Sequence, residues 1–314
     1  MMSMLCDEIH SFNELLLNEE LGYSPTGVLC HYTSPSGLIG ILKSKNLWFT
    51  NSEFLNDKTE GTYIFDLVES CMSDFETGLA NKVNKYIFSR CQNDEENKTI
   101  TPYFYRVSDN TYKQKLKYLT CSFSFDNDNL SMWNYYTKNP DSVGYGLEFK
   151  ADEIWHNLNL QSKKLGVSFF IIKTIYNKDE QFRILGKIIK KYNELWVTAE
   201  DEFEQDRVFA EFYDLIDFIK FNFKHPAFEF EKEVKIVARM SEDVYYKSDL
   251  IKMREQNGVF VPYLEIPFWD EYIVSGIKIS PSTKQENAQN TLFELLSRYG
   301  CLNCRVAKSD IPIR

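Results

Sequence analysis

The sequence predicts an α+β fold, a mixed β-sheet core carrying helical insertions. Runs of β-branched and aromatic residues bounded by polar turns recur from Val28 to Lys308, the pattern of strands. They do not alternate regularly with helical stretches, so the pattern is segregated rather than wound β-α-β. No Gly-x-Gly-x-x-Gly or phosphate-loop signature occurs, which excludes the common nucleotide-binding fingerprints.

Val28 to Thr33 reads as a short strand. Ser34-Pro35-Ser36 starts a helix, with proline in the first turn where its missing N–H costs nothing. Leu38, Ile41 and Leu42 recur at helical spacing, Asn46 ends the helix, and Leu47 to Thr50 returns as a strand. A helical region spans roughly Glu60 to Cys91, followed by a polar loop over Gln92 to Thr101. Tyr118 to Phe123 is a strand, Asp126 to Asn129 offers helix caps, and Leu130 to Thr137 is a short helix. Val143 to Phe149 and Ser168 to Tyr176 are strands. Gln181 to Phe223 has helical periodicity, and most of it is expected to be an insertion, about 178–223, in a single domain spanning 1–314. Strands are expected at Glu231 to Ala238, Val259 to Ile266, Ile273 to Ile279 and Arg305 to Lys308, with a helix at Ala288 to Tyr299.

The chain of 314 residues, 43% hydrophobic and 26% charged, has material for a sizeable core. A net charge of −10 argues against non-specific nucleic-acid binding, which needs Lys/Arg surfaces that displace counterions. Lys113, Lys115 and Lys117 read as a solvated face. Met1 to Glu20 has an interrupted apolar pattern with five acidic residues, no secretory signal is expected, and no apolar run reaches membrane-spanning length. The odd count of seven cysteines then predicts reduced thiols and a cytoplasmic protein. Cys301-Leu302-Asn303-Cys304 lacks a second pair or nearby histidine, so it reads as two semi-buried residues leading into a strand. His10, His31, His156 and His225 are too scattered for a metal-ligand motif.

Three stretches carry candidate chemistry. In a strand, His31 and Thr33 point to one side and Tyr32 to the other. An imidazole plus a hydroxyl can grip a ribose diol or a carboxamide; the alternative is a buried histidine bonded to backbone. Trp133 and Tyr136, three apart on a short helix, share a face that can stack on a flat ring or simply fill core. Glu229, Glu231 and Glu233 on one strand side would line a cleft or open solvent, while Val234, Ile236 and Ala238 imply a buried opposite face.

Nearly the whole chain resembles an uncharacterised bacterial domain family. The carriers are His31-Tyr32-Thr33, Leu55-Asn56-Asp57, Met132-Trp133-Asn134-Tyr135-Tyr136, Glu231-Lys232-Glu233 and Ser309-Asp310-Ile311-Pro312-Ile313-Arg314. In their order these segments also resemble the ADP-ribosyltransferase superfamily of diphtheria toxin and poly-ADP-ribose polymerases. One departure is Val234-Lys235, where the family has a large residue and arginine; lysine replaces an arginine clamp only in part. The resemblance implies an ADP-ribosyltransferase-like fold and NAD as substrate, with ADP-ribosyl transfer or plain NAD hydrolysis as the activity. It implies Glu233 as the catalytic acid group that steadies an oxocarbenium-like ribose, and Glu231 as the group orienting or deprotonating the acceptor. It further implies His31, Tyr32 and Thr33 against ribose or carboxamide, Trp133 or Tyr136 stacked on nicotinamide, and Arg314 toward the pyrophosphate. By analogy the role would be that of a toxin or phage-defence effector; the acceptor (protein, nucleic acid, small molecule or water) stays open. The rival reading is a non-catalytic nucleotide- or protein-binding module on the same fold.

Overall fold

A computed structural model describes residues 4–22, 26–55, 61–73, 78–83, 106–108, 111–112, 116–137, 142–256, 258–268, 273–301 and 303–312. The elements run α1 (Met4–Glu19), β1 (Val28–Thr33), α2 (Pro35–Ser44), β2 (Asn46–Asn51), α3 (Tyr63–Met72), β3 (Arg106–Ser108), β4 (Thr111–Tyr112), β5 (Leu116–Ser124) and α4 (Leu130–Tyr136). Then come β6 (Tyr145–Lys150), α5 (Ala151–Leu165), β7 (Ser168–Lys173), α6 (Lys178–Thr198), α7 (Glu202–Ile219) and β8 (Glu233–Ser241). The chain closes with α8 (Glu242–Lys247), β9 (Ile251–Gln256), β10 (Val259–Pro267), β11 (Val274–Ile279), α9 (Gln285–Arg298) and β12 (Arg305–Lys308). Contacts gather these into two units, one of Met1–Gly22, Asn56–Leu116 and Ile175–Pro226, the other of Tyr23–Leu55, Lys117–Thr174 and Ala227–Arg314.

The first unit is built on helices. Ile9 and Leu16 of α1, Ile64 and Val68 of α3, Ile188 of α6 and Phe212 of α7 belong to one buried cluster. The run that looked interrupted near the start of the chain is therefore a helix. Leu5, Ile9, Phe12 and Leu16 recur every three or four residues, and Asp7, Glu8 and Glu14 take the exposed face. The expected helical stretch from Gln181 resolves into two helices. Asn177 starts α6 by accepting the Glu180 N–H at 3.0 Å, and Asp201 restarts the chain as α7 by accepting the Glu204 N–H at 2.8 Å. The Gln92 to Thr101 loop expectation, like Asn56-Asp57, lies outside the described residues.

The second unit is the sheet. Among the described residues ten strands form one mixed, open sheet in the order β12-β11-β6-β1-β5-β2-β10-β9, with β8 joined to β5 and β7 to β8. β11 and β12 run parallel; β6 is antiparallel to both β1 and β11. Leu29, Leu119, Leu147, Ile236, Leu264 and Ile277 turn to one core, which Leu38 and Leu42 of α2 and Ile154 and Leu158 of α5 also enter. α2 is capped by Ser34, whose hydroxyl accepts the Gly37 N–H at 3.2 Å, and it stops at Lys45 in the left-handed conformation.

Two features of the sheet prepare the site. β1 pairs with β6 along its whole length, from Val28↔Lys150 to Thr33↔Tyr145, but with β5 only at Cys30↔Ser124. β5 gives its next pairings, Thr120↔Thr50 and Leu119↔Asn51, to β2. The ladder between β1 and β5 is thus split beyond Cys30. The second feature corrects an expectation: the predicted strand Glu231 to Ala238 begins only at Glu233. Pro226–Glu231 form a 3-10 helix, and Lys232 adopts φ 43°, left-handed, before the strand starts. Glu229 and Glu231 consequently do not share a strand face with Glu233.

Candidate functional site

At the split, a side chain takes over where the ladder ends. The His31 ring lies with Nδ1 2.9 Å from the Ser122 carbonyl oxygen. A carbonyl only accepts, so Nδ1 carries the proton and Nε2 of the neutral ring keeps its lone pair. Burial holds the His31 pKa below the usual imidazole range, against the opposing pull of the Ser122 carbonyl. Phe123 packs beside the ring at 5.5 Å between centroids. Thr33 is buried beneath the start of α2, where a Cβ at Gly37 would stand 2.1 Å from its hydroxyl. That close approach is the reason for glycine at position 37.

Tyr32 faces the other way and serves the following loop. Its hydroxyl donates to the Asp126 carbonyl at 2.7 Å and accepts the Asn129 N–H at 3.1 Å. Asn129 caps α4 by accepting the Ser131 and Met132 N–H groups at 2.9 and 3.2 Å. Its amide also donates to the Phe230 carbonyl at 2.9 Å, tying α4 to the turn before β8. Burial pushes the Asp126 carboxyl up, but the Asp128 N–H and the Lys232 ammonium outweigh it and the pKa ends below its ordinary value.

Asp128 joins segments far apart in sequence. It accepts the Trp133 indole N–H at 2.9 Å and the Ser309 hydroxyl at 2.6 Å, and the Lys278 ammonium stands 3.6 Å away. Trp133 is 1% exposed and meets Tyr32 edge-on at 4.6 Å. A Cβ at Gly146 would come within 3.1 Å of the Trp133 ring and 2.8 Å of the Cys30 sulfur, so the glycine makes room for the indole. Trp133 is therefore enclosed, and Tyr136 is the half-exposed ring of the pair. Tyr136 lies nearly parallel to Tyr32, 6.1 Å between centroids at 19°.

Glu233, Lys235 and Tyr136 do not meet His31: His31 pairs with Leu147 and shares the core face of the sheet, whereas Tyr136 packs with Tyr32 on the opposite face. Because Val234 and Ile236 enter the core, Glu233 and Lys235 turn away from it by strand alternation. Both are buried, and the Lys235 ammonium sits 3.4 Å from the Glu233 carboxylate. The expectation that Glu233 lines open solvent or a free cleft gives way to a buried ion pair. Burial raises the Tyr136 hydroxyl pKa, and the negative charges of Glu233 and then Glu231 raise it further. Glu231 is half-buried in the 3-10 helix, where its carbonyl accepts the Ser124 hydroxyl at 2.7 Å. Arg314 lies outside the described residues.

Sequence reasoning named Asp126 to Asn129 only as helix caps and missed Asp128 as a hub. The signal was the closing Ser-x-Ile-Pro segment, whose Ser309 reaches Asp128 and whose Ile311 packs with Cys30, Tyr32 and Trp133. Cys301 is buried and Cys304 half-buried, both as free thiols. Among the described residues no three His, Cys, Asp or Glu side chains gather as metal ligands, and no helix is long and apolar enough to cross a membrane.

No curated protein and no solved structure matches the chain. Residues 132–236, from α4 with its Met-Trp-x-x-Tyr segment into β8 with Glu233 and Lys235, match the sequence profile of a family described as a protein of unknown function (DUF2971).

Proposed function

We propose that the chain breaks the nicotinamide–ribose bond of NAD and passes ADP-ribose to an acceptor or to water, on an ADP-ribosyltransferase-like sheet. The observation that carries this reading is the Tyr136 ring, which packs with Tyr32 on the face of the sheet to which Glu233 also turns. Tyr136 offers the ring surface for nicotinamide. As the C–N bond lengthens, its electron pair leaves with nicotinamide and positive charge develops on the ribose. Glu233 stabilises that charge. The acceptor's lone pair then bonds to the anomeric carbon, and its proton passes to Glu231 or water.

The Glu233–Lys235 ion pair favours a second reading, a module that binds a nucleotide or protein without turnover, because the carboxylate is already neutralised. Incubation with NAD separates the two. The enzyme reading expects nicotinamide release, reduced by about 100-fold or more in Glu233→Gln/Lys235→Met, the scale of losing one charge-stabilising group. ADP-ribose binding with no release of nicotinamide assigns the module. Neither binding nor release refutes both.

A further inference from the structure

On the face of the sheet away from the main core, three hydrogen-bond donors lack an acceptor: Trp48 Nε1, Thr120 Oγ1 and Arg254 Nε, each shielded from solvent and without a partner among the described residues. They are neighbours. Leu47 and Phe49 enter the core, so Trp48 and Thr50 of β2 turn the other way. Thr120 pairs directly with Thr50 across β5–β2, and Tyr263 pairs with Thr50 across β10–β2. The Arg254 guanidinium donates to the Thr50 hydroxyl at 3.0 Å and lies over the Trp48 and Tyr263 rings at 5.3 and 5.8 Å.

Arg254 also has no carboxylate partner among the described residues. The nearby Glu265 is engaged by Lys252, and by Asn46 at 3.3 Å. In a chain of net charge −10, a half-exposed guanidinium held on two aromatic faces without a counterion is unusual. Unsatisfied donors at one place lower stability unless something else supplies the acceptor. Thr120 is 3% exposed, so its unpartnered hydroxyl is an internal feature rather than a solvated surface group. Burial lowers the Arg254 pKa, but the group stays cationic at neutral pH. The Cys121 thiol, raised to about 12 by burial, feels the Arg254 charge in the opposite direction, and it adds to the rise of the Tyr136 pKa.

We infer that Arg254, Trp48 and Thr120 form an oxyanion site that takes the phosphates of the substrate. Assigning those phosphates to NAD rests on the reading given under Proposed function. Arg254, and not the terminal Arg314, then supplies the pyrophosphate contact.

The test is calorimetric titration of the full chain at low ionic strength with inorganic pyrophosphate, NAD and the phosphate-free nicotinamide riboside. Arg254→Met is expected to weaken pyrophosphate and NAD by about 10- to 100-fold, the scale of losing charge-assisted hydrogen bonds, and to leave nicotinamide riboside unchanged. Trp48→Phe keeps the ring and loses the N–H; Thr120→Val keeps the shape and loses the hydroxyl. Both are expected to weaken pyrophosphate several-fold while melting at or above the wild-type temperature, because each removes an unsatisfied donor. A purely structural role predicts lower melting with unchanged binding, and that result overturns the inference. Pyrophosphate that fails to bind, or binds all variants alike, overturns it too. Pyrophosphate binding that depends on Arg254, with no NAD binding, supports the oxyanion site and sinks the NAD reading instead.

Discussion

Replacing Glu233 by glutamine removes a charge and almost no volume, so its effect isolates the electrostatics of the buried pair. The two side chains are 2% and 6% exposed, with nitrogen and oxygen 3.4 Å apart. Taking the carboxylate away leaves the Lys235 ammonium buried without its acid, which costs about 3–5 kcal/mol. For a unit of this size that is a fall in Tm on the order of 10 °C. Lys235→Met, which removes the matching charge, should cost a similar amount. The double variant Glu233→Gln/Lys235→Met removes both charges and should return to within about 1 kcal/mol of wild type, because replacing a whole buried pair is close to neutral. Urea and thermal unfolding followed by circular dichroism measure all four proteins as a double-mutant cycle. A single variant costing under about 1 kcal/mol, or a double variant as unstable as the singles, would show that the pair does not couple in this way. The cycle also yields a folded protein without the candidate catalytic acid, which is the control that the NAD experiment needs.

Gly146→Ala forces a methyl to within 2.8 Å of the Cys30 sulfur and 3.1 Å of the Trp133 ring. Overpacking of this kind should cost about 1–3 kcal/mol in urea unfolding, with a shift in tryptophan fluorescence. His31 predicts a pH dependence. Its folded pKa lies below the unfolded value, so the stability it confers is complete above the unfolded pKa near 6.5 and is lost as pH falls toward the folded pKa. Wild type should therefore lose Tm faster than His31→Asn between pH 7 and 5; parallel curves would contradict the assignment.

The strands β1, β2 and β5 and the helix α2 were legible because short apolar and β-branched runs sit between local turn and cap signals. Ser34, Pro35 and Asn129 act within three residues of their own position. The start of β8 was not legible. Glu229 to Glu233 alternates as a strand does, and only the backbone reversal at Lys232 separates a 3-10 turn from the strand. In β9 only Ile251 and Met253 alternate with Lys252 and Arg254 before the polar Glu255 and Gln256, too short a pattern to read as a strand, so the strand carrying Arg254 escaped. In the site, residue types were readable and their partners were not. Tyr32 bonds a carbonyl 94 positions away and Ser309 a carboxylate 181 positions away. Such pairings follow from topology, which local periodicity does not encode. Hence Trp133, chosen for its ring, proves enclosed, while Tyr136, three residues on, stays half-exposed.

The spaced motifs make physical sense as parts of one support. The Met-Trp-x-x-Tyr segment places an indole that Asp128 and Ser309 anchor, Gly146 clears its space, and Tyr32 closes its edge. Apart from the half-buried Asp128 these groups are buried, and together they fix the helix that carries Tyr136 next to the turn before β8. They also brace β1 at the point where it leaves β5. A ladder bond left unmade forgoes about 1 kcal/mol. The fold instead gives one carbonyl there to the His31 ring. The His31 ring thus meets that acceptor from the core face, while the Trp133 support holds Tyr136 on the opposite one.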